Sequence, residues 1–374
     1  MDVNLPLALL GGLTPAQFMR RHWQKKPLLV RQALPGVTPP LSRAAMFALA
    51  ASDDVESRLV QRVGETWSLR SGPLPRRALP PLKRAGWTLL VQGLDLHVPA
   101  AHEMLARFRF APDARLDDLM MSWASDGGGV GPHLDSYDVF LIQVQGARRW
   151  RIGRVPDATF VDGVPLKILR RFEPEQEWLL QTGDVLYLPP LWGHDGTAEG
   201  ECMTCSVGFR APGATEIARE LLPRLADDLE DAPGERPYRD PGQRATATPG
   251  SVPETLREFA AQALQRALQS PQALDLALGE ALTEPKPRVW FEAGAPWAAG
   301  SGVVLDAGTR MLYDERHIFI NGEALRAAGR DARLMRQLAD RRALGAADCG
   351  RLGAEALTLL SGWVAAGWAH GVVA

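Results

Sequence analysis

Between residues 57 and 210 the chain is cut into short strand-like runs: SRLVQRV, TWSLR, WTLLVQG, LMMSWA, DVFLIQVQ, RRWRI, EWLLQ, DVLYLPP and CMTCSVGF. Gly, Pro and Asp clusters separate them. Short apolar runs bounded by such turn formers do not sustain helices, and they predict an antiparallel sandwich or barrel. Helices are expected on either side of this block. Thr14 can cap and Pro15 begin one in LTPAQFMRRHWQKK, ahead of a short strand at PLLVRQ, and Ser42 opens another through Leu49.

After Pro212 the run ATEIARELLPRLADDLED reads as a helix, and the polar PGERPYRDPGQRATATPG that follows reads as a linker or excursion. Ser251 with Glu254 makes a capping-box pattern ahead of LREFAAQALQRALQ, and Ser270-Pro271 starts a further helix through about Leu282. Two amphipathic helices with no core of their own predict a packing or dimerisation module over residues 211–285. From residue 286 to 374 the strand candidates SGVVLDAG, RMLYDE and HIFING precede helices near 331–343 and 353–368, a small α+β domain.

At 374 residues and 46% hydrophobic content the chain can bury more than one core, and two or three domains follow at ~150 residues each. The 42 Lys plus Arg against 44 Asp plus Glu leave a net charge of −2. No global basic field is available to hold phosphate backbones, so any nucleic-acid recognition would have to be local, and with no dense basic cluster in residues 286–374 no direct nucleic-acid binding is expected. No apolar run is long enough to cross a bilayer, and MDVNLPLALLGGLTP lacks a basic n-region and a cleavage signature. A soluble, cytoplasmic protein without a membrane partner is the expectation. Three cysteines, at 202, 205 and 349, suit a reducing compartment with no disulfide framework.

The chemistry concentrates in GPHLDSYDVFLIQVQGARRWRIG, residues 131–153. Residues two apart on a strand point to one side, so His133 and Asp135 can present an imidazole and a carboxylate to one point. The third corner should be a histidine from a later strand. His194 follows GDVLYLPPLWG, where a Pro-Gly turn would stop the strand and expose the side chain at the barrel mouth. Two histidines and one carboxylate leave about three open octahedral positions on Fe(II), as non-haem iron oxygenases require. A lone His-x-Asp is more often a surface or turn pair; the glycine-rich approach, the strand that follows and His194 favour the metal reading.

In the strand from 148, Arg148, Trp150 and Ile152 share the face expected inside, and Arg149 and Arg151 share the other. A buried guanidinium needs an anion. Either an internal Asp or Glu pairs with Arg148, or its planar fork holds the far carboxylate of a metal-bound dicarboxylate such as 2-oxoglutarate. Ser122, Thr204 and Ser206 are candidate hydroxyl contacts to that cosubstrate, or satisfied barrel hydroxyls. Trp150 and Trp192 can keep the pocket apolar or simply pack. Cys202 and Cys205, three apart, point to opposite faces and should share neither metal nor disulfide.

GPHLDSYDVFLIQVQGARRWRIG with GDVLYLPPLWGHDG and CSVGFRAP resembles the JmjC-type 2-oxoglutarate oxygenases, and within them the bacterial ribosomal oxygenases that hydroxylate an arginine of a large-subunit ribosomal protein. FMRRHWQKKPLLVR resembles that subgroup's entry segment, and the likeness extends to RMLYDERHIFINGEAL. It implies a mainly β double-stranded β-helix (cupin-type) catalytic core over residues 1–210, a helical dimerisation segment over 211–285 and a winged-helix-like domain over 286–374. It implies Fe(II) held by His133, Asp135 and His194, the distal 2-oxoglutarate carboxylate on Arg148, a hydroxyl contact from Ser122, O2 as co-reactant and a homodimer. Asp126, beside the glycine loop, resembles an acidic group for the substrate guanidinium; the plain alternative is a turn aspartate.

The residues leave three kinds of protein open: this hydroxylase, a cupin-type metal enzyme acting on a small molecule without 2-oxoglutarate, and a silent binding protein on the same fold. An intact triad with Arg148 argues against the last. The iron site alone does not separate hydroxylation from demethylation.

Overall fold

A computed structural model describes residues 2–230, 237–245, 248–268, 270–298 and 300–372, and the chain divides into two compact units, Met1–Pro212 and Gly213–Ala374. In the first unit Thr14 caps Pro15–Arg21 (α1). Its hydroxyl accepts from the Gln17 amide at 3.1 Å while the Gln17 side chain accepts from the Thr14 amide at 3.1 Å, a closed capping box. Leu28–Val30 (β1) follows, then Arg43–Leu49 (α2), whose N-cap Ser42 accepts from the Ala45 amide.

The strands are Ser57–Val63 (β2), Thr66–Ser71 (β3), Trp87–Val91 (β4), Leu116–Ala124 (β5), Asp138–Arg154 (β6), Gln176–Gln181 (β7), Val185–Leu188 (β8) and Trp192–Phe209 (β9), with Pro99–Ala106 (α3) ahead of β5. They form one antiparallel sheet in the order β1-β8-β6-β9-β5-β4-β2-β3, with β7 on the second half of β6. The long strands β6 and β9 pair along nearly their whole length, Asp138 opposite Phe209 at one end and Arg154 opposite Trp192 at the other.

One pair of expected strands therefore fuses, and another expected strand is longer than its run. DVFLIQVQ and RRWRI are one strand, and CMTCSVGF is the second half of β9. The turn former between the first two, Gly146, sits in a bulge: φ is +67°, and a Cβ there would lie 2.4 Å from the Glu201 carbonyl oxygen. The bulge also shifts the alternation. Val139 and Leu141 pack in one cluster with Trp150 and Ile152, so odd positions face inward before Gly146 and even positions after it.

On the other face, Phe140 and Ile142 join Phe18, Met46, Trp87, Trp123 and Tyr187 in a core roofed by α1, α2 and α3. Each fully buried large apolar side chain contributes roughly 1.5–3 kcal/mol. A buried carboxylate ties the N-terminal segment to β6: Asp138 accepts from the Tyr187 hydroxyl at 2.6 Å, from Gln24 Nε2 at 3.1 Å and from Arg115 Nη2 at 3.1 Å. The segment carrying His133 and Asp135 thus leads into a strand whose start is fixed.

In the second unit, Ala214–Glu230 (α4), Glu254–Leu268 (α5) and Pro271–Thr283 (α6) precede Gly302–Leu305 (β10), Met311–Tyr313 (β11), His317–Ile320 (β12), Glu323–Arg326 (β13), Gly329–Arg341 (α7), Ala343–Leu344 (β14), Ala346–Cys349 (α8), Ala354–Ala365 (α9) and Ala369–Val372 (β15). Two three-stranded sheets, β14-β10-β15 and β11-β12-β13, share a core that includes Ile320, Leu338, Leu344, Leu360 and Trp363. Ser270 caps α6 through the Ala273 amide at 3.2 Å.

Ser251 does not cap α5. The helix starts at Glu254, behind Pro253, so the expected box falls outside it. Of the expected linker, residues 233–236 and 246–247 lie outside the described residues. Residues 237–245 are neither helix nor strand, yet the Tyr238 hydroxyl lies 2.6 Å from Thr255 Oγ1 on α5. Leu222, Leu256, Leu264 and Leu268 are exposed along α4 and α5. Among the described residues no helix is long and apolar enough to cross a membrane.

Candidate active site

The cores of both sheet halves leave a cavity of about 230 Å³ inside the first unit, lined from β2, β3, β4, β5, β6 and β9 and from the segments around residues 130–137 and 166–168. His133 reaches it by a backbone bridge to His194. The His133 amide donates to the His194 carbonyl at 3.0 Å, and the His194 amide returns a bond to the His133 carbonyl at 2.8 Å. This bridge sets the two imidazoles side by side, with ring centroids 4.2 Å apart.

Gly131 makes the approach possible. Its φ is +78°, and an added Cβ would strike Ile168 at 2.7 Å and Trp67 at 2.9 Å. The far end of the segment is held as well, since the Leu191 amide donates to the Asp135 carbonyl at 2.8 Å.

Each imidazole has its Nδ1 on a backbone carbonyl two residues back, His133 on Gly131 at 2.8 Å and His194 on Trp192 at 2.9 Å. That bond puts the ring proton on Nδ1 and leaves Nε2 as the free donor atom. Both Nε2 atoms turn to Asp135 Oδ2, at 3.9 Å for His133 and 3.5 Å for His194. The three ligating atoms lie within 4.8 Å of one another, and no other such group occurs among the described residues.

Burial, and after it the neighbouring His194, bring the His133 pKa down to about 4. Burial works against the Asp135 carboxylate, but the hydrogen bond and charge of His194, the charge of His133 and a bond from the Tyr137 hydroxyl bring it down to about 2. Burial also disfavours charge on His194, and the bond and charge of Asp135 reverse this, raising its pKa. A neutral imidazole and an ionised carboxylate are the states a divalent cation needs, and such a cation would compete with a proton for His194.

Arg148 enters from β6 and is only 5% exposed. Its Nη1 donates to Ser122 Oγ at 3.5 Å, while Nε and Nη2 have no partner among the described residues. Among the described residues no internal carboxylate answers it. A desolvated guanidinium without an anion costs several kcal/mol, so this side of the cavity fits an anionic ligand, and the two-histidine, one-carboxylate side fits Fe(II) by the chemistry of its donors. Trp150 lines the cavity beneath Arg148, with the guanidinium carbon 5.8 Å from its ring.

The expected minor contacts divide. Ser122 and Ser206 line the cavity. Thr204 pairs with Ser122 across β5 and β9 but stays outside the lining, its hydroxyl donating to Gln143 Oε1 at 3.0 Å. Asp126 is not at the cavity at all. It is exposed, and its carboxylate accepts from the Gly200 amide at 2.8 Å, so it is a turn aspartate closing the β5 end. His194 is not exposed at a strand end; it is the third residue of β9 and 3% exposed. Cys202 and Cys205 are free thiols in separate apolar clusters.

Sequence reasoning missed the wall supplied by β2, β3 and the segment after β6. Arg58, Val60, Leu69 and Lys167 line the cavity, as does Tyr137 within the motif itself. Only Tyr137 carried a local signal, being two residues after Asp135 and on its side of the chain.

The fold and this site are of the JmjC type: residues 103–217 match the JmjC domain, and residues 254–370 match the ROXA-like winged helix. Over 336 residues the chain is 33% identical to the ribosomal protein uL16 3-hydroxylase of Escherichia coli (strain K12), spanning 84% of this chain and 86% of that one. The X-ray structure of E. coli ycfD matches with a TM-score of 0.83 at 30% identity, over 96% of this chain and 98% of that one. The structure of YcfD, a ribosomal oxygenase from Escherichia coli, in complex with cobalt and 2-oxoglutarate matches with a TM-score of 0.80 at 30% identity, over 96% and 99%. The chain belongs to the JmjC-domain ribosomal oxygenases.

Proposed function

We propose that the protein is an Fe(II)- and 2-oxoglutarate-dependent oxygenase that hydroxylates an arginine side chain of a large-subunit ribosomal protein, releasing succinate and CO2. The observation that carries this is the meeting, in one cavity, of the His133, Asp135 and His194 donor atoms with buried Arg148, whose Nε and Nη2 have no partner among the described residues. The related structure that holds cobalt and 2-oxoglutarate together supports the same pairing of metal and dicarboxylate. The ribosomal substrate is supported by the relative whose name states it.

His133, Asp135 and His194 hold the metal on one side, each histidine oriented by its Nδ1 bond. Arg148 receives the distal carboxylate of 2-oxoglutarate, and Ser122, already within reach of Arg148, and Ser206 offer hydroxyls beside it. Thr204 steadies the floor through Gln143. Iron with 2-oxoglutarate and O2 supplies the oxidising power that inserts one oxygen atom into a C–H bond. The chain fixes the geometry and shields the site with Trp150, Leu141 and Ile168.

The test is mass spectrometry of large-subunit ribosomal proteins incubated with the enzyme, Fe(II), 2-oxoglutarate and oxygen, beside a His133→Ala control. One added oxygen on an arginine, absent in the control, is expected. Succinate without any modified arginine would keep the iron chemistry and remove the substrate. A lost methyl group in place of an added oxygen would make the reaction a demethylation.

The same reading places the protein in the cytoplasm as a homodimer built through the helices of residues 211–285, with residues 286–374 as a docking or structural domain. Exposed Leu222, Leu256 and Leu264 support that dimer face. Sedimentation should find a dimer, and Leu256→Glu with Leu264→Glu should shift it to monomer; an unchanged dimer would place the interface elsewhere.

A further inference from the structure

The second unit holds a groove that the oxygenase chemistry does not use. A cavity of about 150 Å³ opens between β12 and β13 on one side and α7 and α9 on the other, with Leu325, Ala332, Met335, Ala356 and Leu359 among its walls. Leu359 is 39% exposed, a large apolar side chain left at the lip. An apolar space of this size accepts a group about as large as a benzene ring. β13 beside it is the edge strand of its sheet and pairs with β12 alone. Asn321 and Gly322 close the hairpin, so Glu323 and Leu325 bond across to β12, and the Ala327 amide continues the ladder to the Arg316 carbonyl at 3.1 Å. Ladder bonds in an antiparallel pair alternate, so Ala324 and Arg326 turn their N–H and C=O groups outward, and among the described residues no other backbone group meets them.

Both faces of this sheet are accounted for and its edge is not. α6 lies on the face away from the groove, where a Cβ on Gly279 would meet the Phe319 ring at 2.3 Å. On a strand added to β13, side chains on the Leu325 side would enter the groove and those on the Arg326 side would face outward. Two opposite charges border the groove: Arg326 and Glu355 are exposed, and neither has an ion-pair partner among the described residues. The third charge, Asp331, accepts from the Gly353 amide at 3.2 Å. We propose that this groove binds an extended segment of a partner protein as a further strand on β13, with an aromatic side chain in the cavity, a carboxylate beside Arg326 and a cation beside Glu355. Main-chain bonds to Ala324 and Arg326 supply affinity, and the cavity and the two charges select the sequence.

The test uses the full-length protein and short capped peptides of Thr that carry a central Phe, a Glu next to it and a Lys on the same strand face as the Phe. Binding is read by fluorescence anisotropy of the labelled peptide. Replacing the Phe by Ala, exchanging the Glu and the Lys, or methylating the backbone nitrogens that would face β13 should each weaken binding about tenfold or more. Two protein variants probe the same contacts from the other side. Ala324→Pro removes an outward N–H and leaves the bonds to β12 in place, as edge strands tolerate. Leu359→Glu sets a charge on the lip at an exposed position. Each should lose about tenfold in affinity for the parent peptide, and hydroxylation by the loaded enzyme should be unchanged in Leu359→Glu.

No binding of the parent peptide, equal binding of its N-methylated form, or binding that survives Leu359→Glu would overturn the proposal. Should Ala324→Pro fail to fold, the N-methylated peptide and Leu359→Glu still decide it. Sedimentation of the protein without peptide covers the other occupant: self-association that Leu359→Glu abolishes would assign the groove to a second copy of this chain and overturn the partner segment.

Discussion

Arg148, Arg149 and Arg151 lie within four residues of one strand and live in opposite environments. Arg149 and Arg151 stand on the outer face in a ladder with Glu177, Glu199 and Asp195, where every guanidinium has a carboxylate. Arg148, on the inner face, is buried, and its one hydrogen bond among the described residues goes to the Ser122 hydroxyl. A strand's period of two separates an arginine that laces neighbouring strands from one kept ready for a ligand. Exposed ladders add little and are screened by salt; an unanswered buried charge is a standing cost that a bound anion removes.

Three substitutions test that contrast, the largest expected effect first. Arg148→Ala should weaken 2-oxoglutarate binding by about 2–5 kcal/mol, a rise in its KM of roughly thirtyfold or more, because the distal carboxylate is left buried without its cation. Arg149→Ala should leave that KM unchanged; a comparable rise there would dissolve the distinction. Arg148→Met, close in volume and uncharged, should bind 2-oxoglutarate as poorly as Arg148→Ala while stabilising the ligand-free protein by about 1–4 kcal/mol. A lower melting temperature for Arg148→Met would mean that the guanidinium is already satisfied.

Asp184 extends the comparison to a buried anion that is fully answered. It accepts from the Gln32 amide at 2.9 Å, the Gln181 amide at 3.0 Å and Arg31 Nη1 at 2.6 Å. Burial alone would raise its pKa, but these bonds lower it. A depressed carboxylate adds stability above its unfolded pKa of about 4 and loses it as pH falls through the lower folded value. Asp184→Asn should therefore cost about 1–3 kcal/mol at pH 7, with the gap to wild type closing in acid. A gap that widens in acid would reverse the assignment.

Much of the site was readable because its signals are local. His133 and Asp135 sit two apart behind a glycine approach, and the Arg148 face follows from alternation within five residues. What escaped the reading depends on strand pairing. Gly146 looked like a boundary and is a bulge, because only the β9 partner shows that the ladder continues past it. His194 was placed at an exposed strand end, whereas β9 begins before it and buries it against His133. Asp126 matched a motif position but is drawn to the Gly200 amide of a neighbouring strand. Arg58, Leu69 and Lys167 come from segments with no motif, and only the folded sheet brings them to the cavity. Ser251 failed for a local reason, since Pro253 resets where α5 begins.

The central claim is that one cavity joins the iron ligands, the Arg148 fork and an arginine-bearing ribosomal substrate in a single dioxygenase reaction. Isotopically heavy dioxygen tests it directly: supplied to the enzyme with Fe(II), 2-oxoglutarate and large-subunit ribosomal proteins, it should place one heavy atom in succinate and one on an arginine side chain. Heavy succinate with no labelled arginine would contradict the substrate, and label in neither would contradict the account as a whole.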